Sequence, residues 1–169
     1  MEEIPEDLLL DAEENGPPAS AVGGDLVLNL EGFLPYRLSV LTNTVSRAIA
    51  GAYSKRFGLS IPEWRVLAVL GRFPDISAKE VTERTAMDKV RVSRAVAALL
   101  RKALIERRTD AQDRRFSILR HSGRGHQIYE EIVPLALSYE KHLLDALCDE
   151  ERDALDALLT KLMGKARDL

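Results

Sequence analysis

Three helix-opening signals follow one another between Ser60 and Asp88, and they leave room only for short helices. Ser60-Ile61-Pro62-Glu63 and Ser77-Ala78-Lys79-Glu80 are both S-x-x-E capping boxes. In such a box the serine hydroxyl takes a free amide of the first turn and the glutamate returns to the capping residue's own N–H. The first box has proline in its opening turn, as helices tolerate, and its helix must end before Pro74. The second opens a helix that runs to about Thr85. Asp88 caps a third, on which Val92, Val96 and Leu99 recur at spacings of four and three, the period of one helix face. A longer helix precedes the three, with Pro35 in its opening turn. It carries Leu38, Leu41, Val45, Ala48 and Ala52 on one face, ends at Phe57 with Lys55 and Arg56 at its negative end, and stops at Gly58.

Beyond Ala103 the period changes. Leu104–Thr109 and Arg115–Leu119 read as two strands around the polar turn Asp110-Ala111-Gln112-Asp113-Arg114. Ser122 can cap a long helix with Ile128, Ile132, Leu135, Tyr139, Leu143 and Leu147 on one face. Pro134 within it predicts a kink, because the bond to the Glu130 carbonyl is lost. A last helix carries Leu155, Leu158, Leu159 and Leu162 behind the acids Asp149, Glu150 and Glu151. The expected fold class is therefore mainly α with a small β-hairpin wing.

Charge separates this body from what precedes it. The 169-residue chain has a net charge of -3, which on average argues against a polyanionic partner. Residues 1–32, however, hold nine acids and no Lys or Arg, which leaves +6 for the remainder. Between Lys89 and Arg124 there are eleven bases and three acids. Residues 1–32, with Asn15-Gly16-Pro17-Pro18 and Gly23-Gly24, are expected to be an acidic, flexible extension. No apolar run approaches a membrane span. The acids of Met1–Asp11 stand where a secretory signal carries bases, so a cytoplasmic location is expected. The one cysteine, Cys148, fits a reducing compartment.

A helix, a short helix and then a helix with a basic exposed side form a helix-turn-helix, whose last member enters the major groove of duplex DNA. With Val92, Val96 and Leu99 turned inward, the opposite face carries Lys89, Val90, Arg91, Ser93, Arg94, Ala97 and Arg101. Arginine can grip guanine O6 and N7, serine can reach base or phosphate, and Val90 or Ala97 can touch a thymine methyl. Lys89, Arg91, Ser93, Arg94 and Arg101 are the recognition-helix candidates. In the wing, the spacing of Asp113 and Arg115 lets the carboxylate steady the guanidinium, which frees Arg114 for a narrow minor groove. Arg108 completes the candidates there.

These residues resemble the multiple-antibiotic-resistance regulator (MarR) family of winged helix-turn-helix transcription factors. The resemblance covers about residues 33–163 and rests mainly on residues 59–125. It is carried by Leu59 to Trp64, Asp88-Lys89, Val92-Ser93-Arg94, and Asp113 with Arg115. Three positions depart from the family pattern: His121-Ser122 stands for the usual Leu-Thr helix opening, Ala103 for a usual glycine, and Cys148 for a capping Ser or Thr. The resemblance implies a winged helix-turn-helix over 58–121 and a helical dimerisation region over 33–57 and 122–167. It implies a homodimer whose recognition helices enter successive major grooves of a pseudo-palindromic operator, roughly 34 Å apart. A repressor released by a small aromatic acid or its coenzyme A thioester is the implied function. Arg37, Asn43, Arg47 and Trp64, with Tyr36 and Tyr53 equally placed, are the effector-site candidates by the same analogy.

Two alternatives stand beside this reading: a thiol-redox regulator working through Cys148, and a winged-helix module that binds an acidic protein partner. The acids after Cys148 disfavour a reactive thiolate. Steep salt dependence and sequence preference would separate DNA from a protein partner. His121, His126 and His142 lack metal-ligand spacing, and no nucleophile elbow or phosphate-cradling loop is present. No metal, cofactor or enzymatic activity is expected.

Overall fold

The computed structural model describes residues 19–22, 25–109 and 117–168. The chain divides into two compact units, Met1–Arg47 and Ala48–Leu169.

In the first unit, β1 (Ala19–Val22) and β2 (Asp25–Leu28) form an antiparallel pair, with Ala19 opposite Leu28 and Val22 opposite Asp25. Part of the expected acidic extension over residues 1–32 is thus paired into strands. The strands flank Gly23-Gly24, a two-residue glycine pair of the kind that favours tight hairpins, and the acidic composition masked that signal. A turn follows, in which Phe33 N donates to Leu30 O at 3.1 Å. Helix α1 (Leu34–Phe57) then begins and continues into the second unit.

The second unit closes around the capped helices. Gly58 ends α1 in the left-handed region, at φ 63°, which glycine adopts without the strain a Cβ brings. Helices α2 (Ile61–Arg72) and α3 (Ala78–Thr85) open on the two capping boxes. Ser60 N donates to Glu63 Oε2 at 2.8 Å, and Ser77 N to Glu80 Oε2 at 2.9 Å. Asp88 caps α4 (Lys89–Arg101), accepting from Arg91 N at 2.8 Å. Hydrogen bonding and the nearby Arg84 and Lys79 charges hold the Glu80 carboxyl below its ordinary pKa.

The sheet has three strands rather than the two expected. β5 (Ser117–His121) lies between β4 (Ile105–Thr109) and β3 (Ile76–Ser77), with Ile76 opposite Leu119 and Arg107 also opposite Leu119. A two-residue strand directly before a helix cap has no alternation by which a sequence could reveal it. Val66, Leu67, Leu70, Val81, Val92, Val96, Leu99, Leu104, Ile105 and Leu119 form the buried core. Helix α5 (Gly123–Leu144) runs through Pro134 as one helix and adds Ile128 and Ile132 to that core. Helix α6 (Asp149–Ala166) buries no residue.

The junction between α4, the sheet and α5 is unusually close. Ala103 takes the left-handed conformation, at φ 53°, so the turn after α4 is as sharp as a glycine would make it, at a strain of about 1–2 kcal/mol. Ser122 caps α5, accepting from Gly125 N at 3.0 Å while its hydroxyl donates to Ala103 O at 2.7 Å. A Cβ on Gly125 would lie 1.7 Å from Leu104 O, so only glycine lets α5 approach that carbonyl.

Candidate nucleic-acid interface

Helix α4 divides cleanly into two faces. Val92, Ala95, Val96 and Leu99 are buried, whereas Lys89, Val90, Arg91, Ser93, Arg94, Ala97 and Arg101 are all exposed. The residue types follow from the helical period: each turn places one apolar side chain on the core and leaves a basic or small one outside. Five of the exposed residues are the recognition-helix candidates, and one continuous face holds them all.

Their charges are not equivalent. Arg91 Nε sits 3.4 Å from Asp88 Oδ2, so its charge is partly answered within its own helix turn. Lys89, Arg94 and Arg101 make no ion pair with a described residue. On the wing, Arg108 is paired with Glu106 at 2.8 Å, and Arg120 of β5 with Asp75 at 3.4 Å. Asp113, Arg114 and Arg115 lie outside the described residues.

Lys102, just past α4, has a role that its place among the basic residues does not reveal. Its ammonium donates to Glu63 Oε1 at 2.5 Å and to Gly58 O at 2.7 Å. The Glu63 side chain is only 7% exposed. Burial opposes its ionisation, but hydrogen bonds from Lys102 and Ser60 and the Lys102 charge outweigh that, and its pKa is lowered. One carboxylate therefore caps α2 with one oxygen and anchors the end of α4 with the other. The two residues are 39 apart in sequence, and no local motif announces such a pair.

Residues of α1, α2, β5 and α5 in the second unit form a chain of aromatic rings. Trp64 stands between Tyr53, at 5.7 Å between centroids, and Tyr129, at 6.1 Å. Tyr129 in turn meets His121 at 5.3 Å and His126 at 6.3 Å. Tyr53 is buried, and burial pushes its hydroxyl pKa up to about 12. His121 Nε2 lies 2.8 Å from Leu67 O, and burial lowers its pKa, with the neighbouring His126 adding to that. Tyr129 packs against Gly71, where a Cβ would fall 2.4 Å from the ring. Of the effector-site candidates, Trp64 belongs to this cluster, and Tyr53 with it. Arg37, Asn43, Arg47 and Tyr36 are exposed on α1 in the first unit.

Three capped helices followed by antiparallel strands, with the basic face on the third helix, make this a winged helix-turn-helix protein. A MarR family model matches residues 57–115. The chain is 30% identical over 111 residues to the HTH-type transcriptional regulator BilQ of Clostridium symbiosum, covering 66% of this chain and 76% of that protein. A MarR/EmrR family transcriptional regulator from Acinetobacter sp. ADP1 superposes with a TM-score of 0.77 at 30% identity, over 84% of this chain and all 100% of that one. The chain belongs to the MarR family of transcriptional regulators. BpsR of Bordetella bronchiseptica, whose DNA binding is regulated by 6-hydroxynicotinic acid, shares the fold at a TM-score of 0.71 and 22% identity, over 81% of this chain and 97% of that one. This family and fold are those of transcriptional regulators rather than of enzymes. No helix among the described residues is long and apolar enough to cross a membrane.

Proposed function

We propose that this regulator binds a double-stranded DNA operator as a homodimer, with α4 in the major groove and the wing beside it, and that it represses until a small aromatic acid or its coenzyme A thioester releases it. The observation that carries the reading is the face of α4. Lys89, Arg94 and Arg101 project from it without counter-charges among the described residues, while Val92, Val96 and Leu99 hold the opposite side in the core. Lys89, Arg91, Ser93, Arg94 and Arg101 are the DNA contacts of α4, and Arg108, Asp113, Arg114 and Arg115 serve the wing.

The dimer draws support from the apolar residues that α5 and α6 leave outside the core. Leu137, Leu143, Leu155, Leu158, Leu159, Leu162 and Met163 are all exposed, more apolar surface than a single chain leaves in water without a partner. Residues 33–57 and 122–167 are the proposed dimerisation region, and 58–121 the DNA-binding part. The effector class draws support from the chemistry of BpsR's effector, an aromatic acid; Arg37, Asn43, Arg47 and Trp64 are the residues proposed to meet it.

Selection from random duplexes, followed by titration of the selected operator at rising salt, tests the reading. Affinity should fall steeply with salt, because each phosphate contact releases counterions. Arg94→Ala should erode sequence preference, and Arg114→Ala should weaken all duplexes alike. Binding that ignores both sequence and salt would refute DNA recognition by this face. A panel of aromatic acids and their thioesters that leaves the protein on its operator would refute the effector.

A further inference from the structure

At about 100° per residue, Val90, Arg94, Ala97 and Arg101 fall within about 60° of one another, at the centre of the exposed arc of α4. Lys89 and Arg91 stand about 100° to either side of Val90. The centre of the face is thus an apolar side chain, a methyl and two guanidinium groups, of which Arg94 is next to Val90 along the helix, with Lys89 and Arg91 at its flanks. Val90 is 58% exposed, the only large apolar residue that α4 leaves in solvent, and nothing in the core requires it there. Groups that contact the central floor of a groove read bases, while flanking cations meet the phosphate walls.

We infer that Val90 and Arg94 act as one reading unit, Val90 packing on a thymine methyl and Arg94 gripping a guanine one or two base steps away. This rests on the DNA-binding reading given above. Four further observations support the pairing. Residues four apart on a helix have Cβ atoms about 5–6 Å from each other, and their axial separation of about 6 Å spans one to two base steps of 3.4 Å. Arg94 has no ion-pair partner among the described residues, whereas Arg91 is held toward Asp88. Ser93 and Ala97, which complete the patch around the pair, are small enough to let the helix backbone come close to the bases. Val90 also follows directly on the residue at the start of α4, and the amino-terminal residues of a recognition helix are those that reach base edges. Arg101, about 16 Å further along the helix axis, falls to the backbone.

The test uses the full-length protein and the duplex it selects. Each thymine of the site is replaced in turn by deoxyuridine, which deletes only the methyl group, and each guanine by 7-deazaguanine, which deletes only the N7 acceptor. Wild type should lose about four-fold in affinity at one deoxyuridine position per half-site, the worth of one buried methyl. Val90→Ala should lose a similar factor on unmodified DNA and nothing more at that position. Arg94→Ala should become insensitive to one 7-deazaguanine that costs wild type ten-fold or more, and that guanine should lie within two steps of the sensitive thymine. Val90 is solvent-exposed, so Val90→Ala should unfold at the wild-type temperature. Deoxyuridine costs that are equal for wild type and Val90→Ala at every position, or sensitive bases far apart, overturn the pairing while leaving DNA binding intact. A protein that selects no duplex overturns both.

Discussion

Leucines at helical spacing occur on both α4 and α6, yet they meet opposite fates. Leu99 of α4 is 0% exposed, sealed among residues of α2, α3 and the sheet, whereas Leu158 of α6 is 58% exposed and its neighbours Leu155, Leu159 and Leu162 are exposed as well. The local pattern is similar in the two places, and only the rest of the chain differs. Around α4 the capping boxes bend the chain three times within a short stretch, so every apolar stripe finds another to cover it. After Pro134, Leu137 and Leu143 of α5 and the leucines of α6 are left exposed. The winged part closes its own core, while these leucines of the terminal helices stay exposed, which is the surface the proposed dimer would cover.

Substitutions can break or sharpen that contrast. The largest loss should come from Leu99→Ala, about 2–5 kcal/mol in chemical denaturation, because a cavity opens in a region that cannot collapse. Lys102→Met should cost about 1–3 kcal/mol by leaving the Glu63 carboxylate buried without its ammonium. The Glu63 pKa is lowered in the folded state, so its contribution is complete above the ordinary carboxylate range and disappears as pH falls through the lowered native value. The gap between wild type and Lys102→Met should therefore be wide at neutral pH and close on acidification, read from unfolding curves across pH. Ala103→Gly should raise stability by about 0.5–1 kcal/mol, since relief of about 1–2 kcal/mol of left-handed strain exceeds the added freedom of the unfolded chain. Smallest of all, Leu158→Ala should change unfolding of the isolated chain by less than about 0.5 kcal/mol. Leu155→Glu with Leu159→Glu should instead lower the sedimenting mass to that of one chain, and an unchanged mass would remove α6 from the proposed dimer.

How much of this was legible beforehand depended on the range of the interaction. Ser60, Ser77, Asp88 and Ser122 each act within three residues, and all four helix starts were readable from them. The face of α4 was equally readable, because periodicity alone assigns Val92, Val96 and Leu99 inward and Arg94 outward. β3 was invisible: a pair of residues acquires strand geometry only because β5 arrives beside it from some 40 positions later. The β1–β2 pair has its signal in Gly23-Gly24, but the surrounding acids argue for an extended tail instead. Glu63 looked like a cap and Lys102 like one more base, and nothing short of the folded chain brings them together. Trp64 was picked out for an effector site, but its stacking between Tyr53 and Tyr129 required three segments to meet.

The contact of Gly125 with Leu104 O makes a mechanical joint of the place where α4 ends and α5 begins. Helix α5 has 22 residues, about 33 Å of helix, and Ile128, Tyr129 and Ile132 hold its first half against the core as well. The glycine joint and these three side chains together fix the line along which the rest of α5 continues.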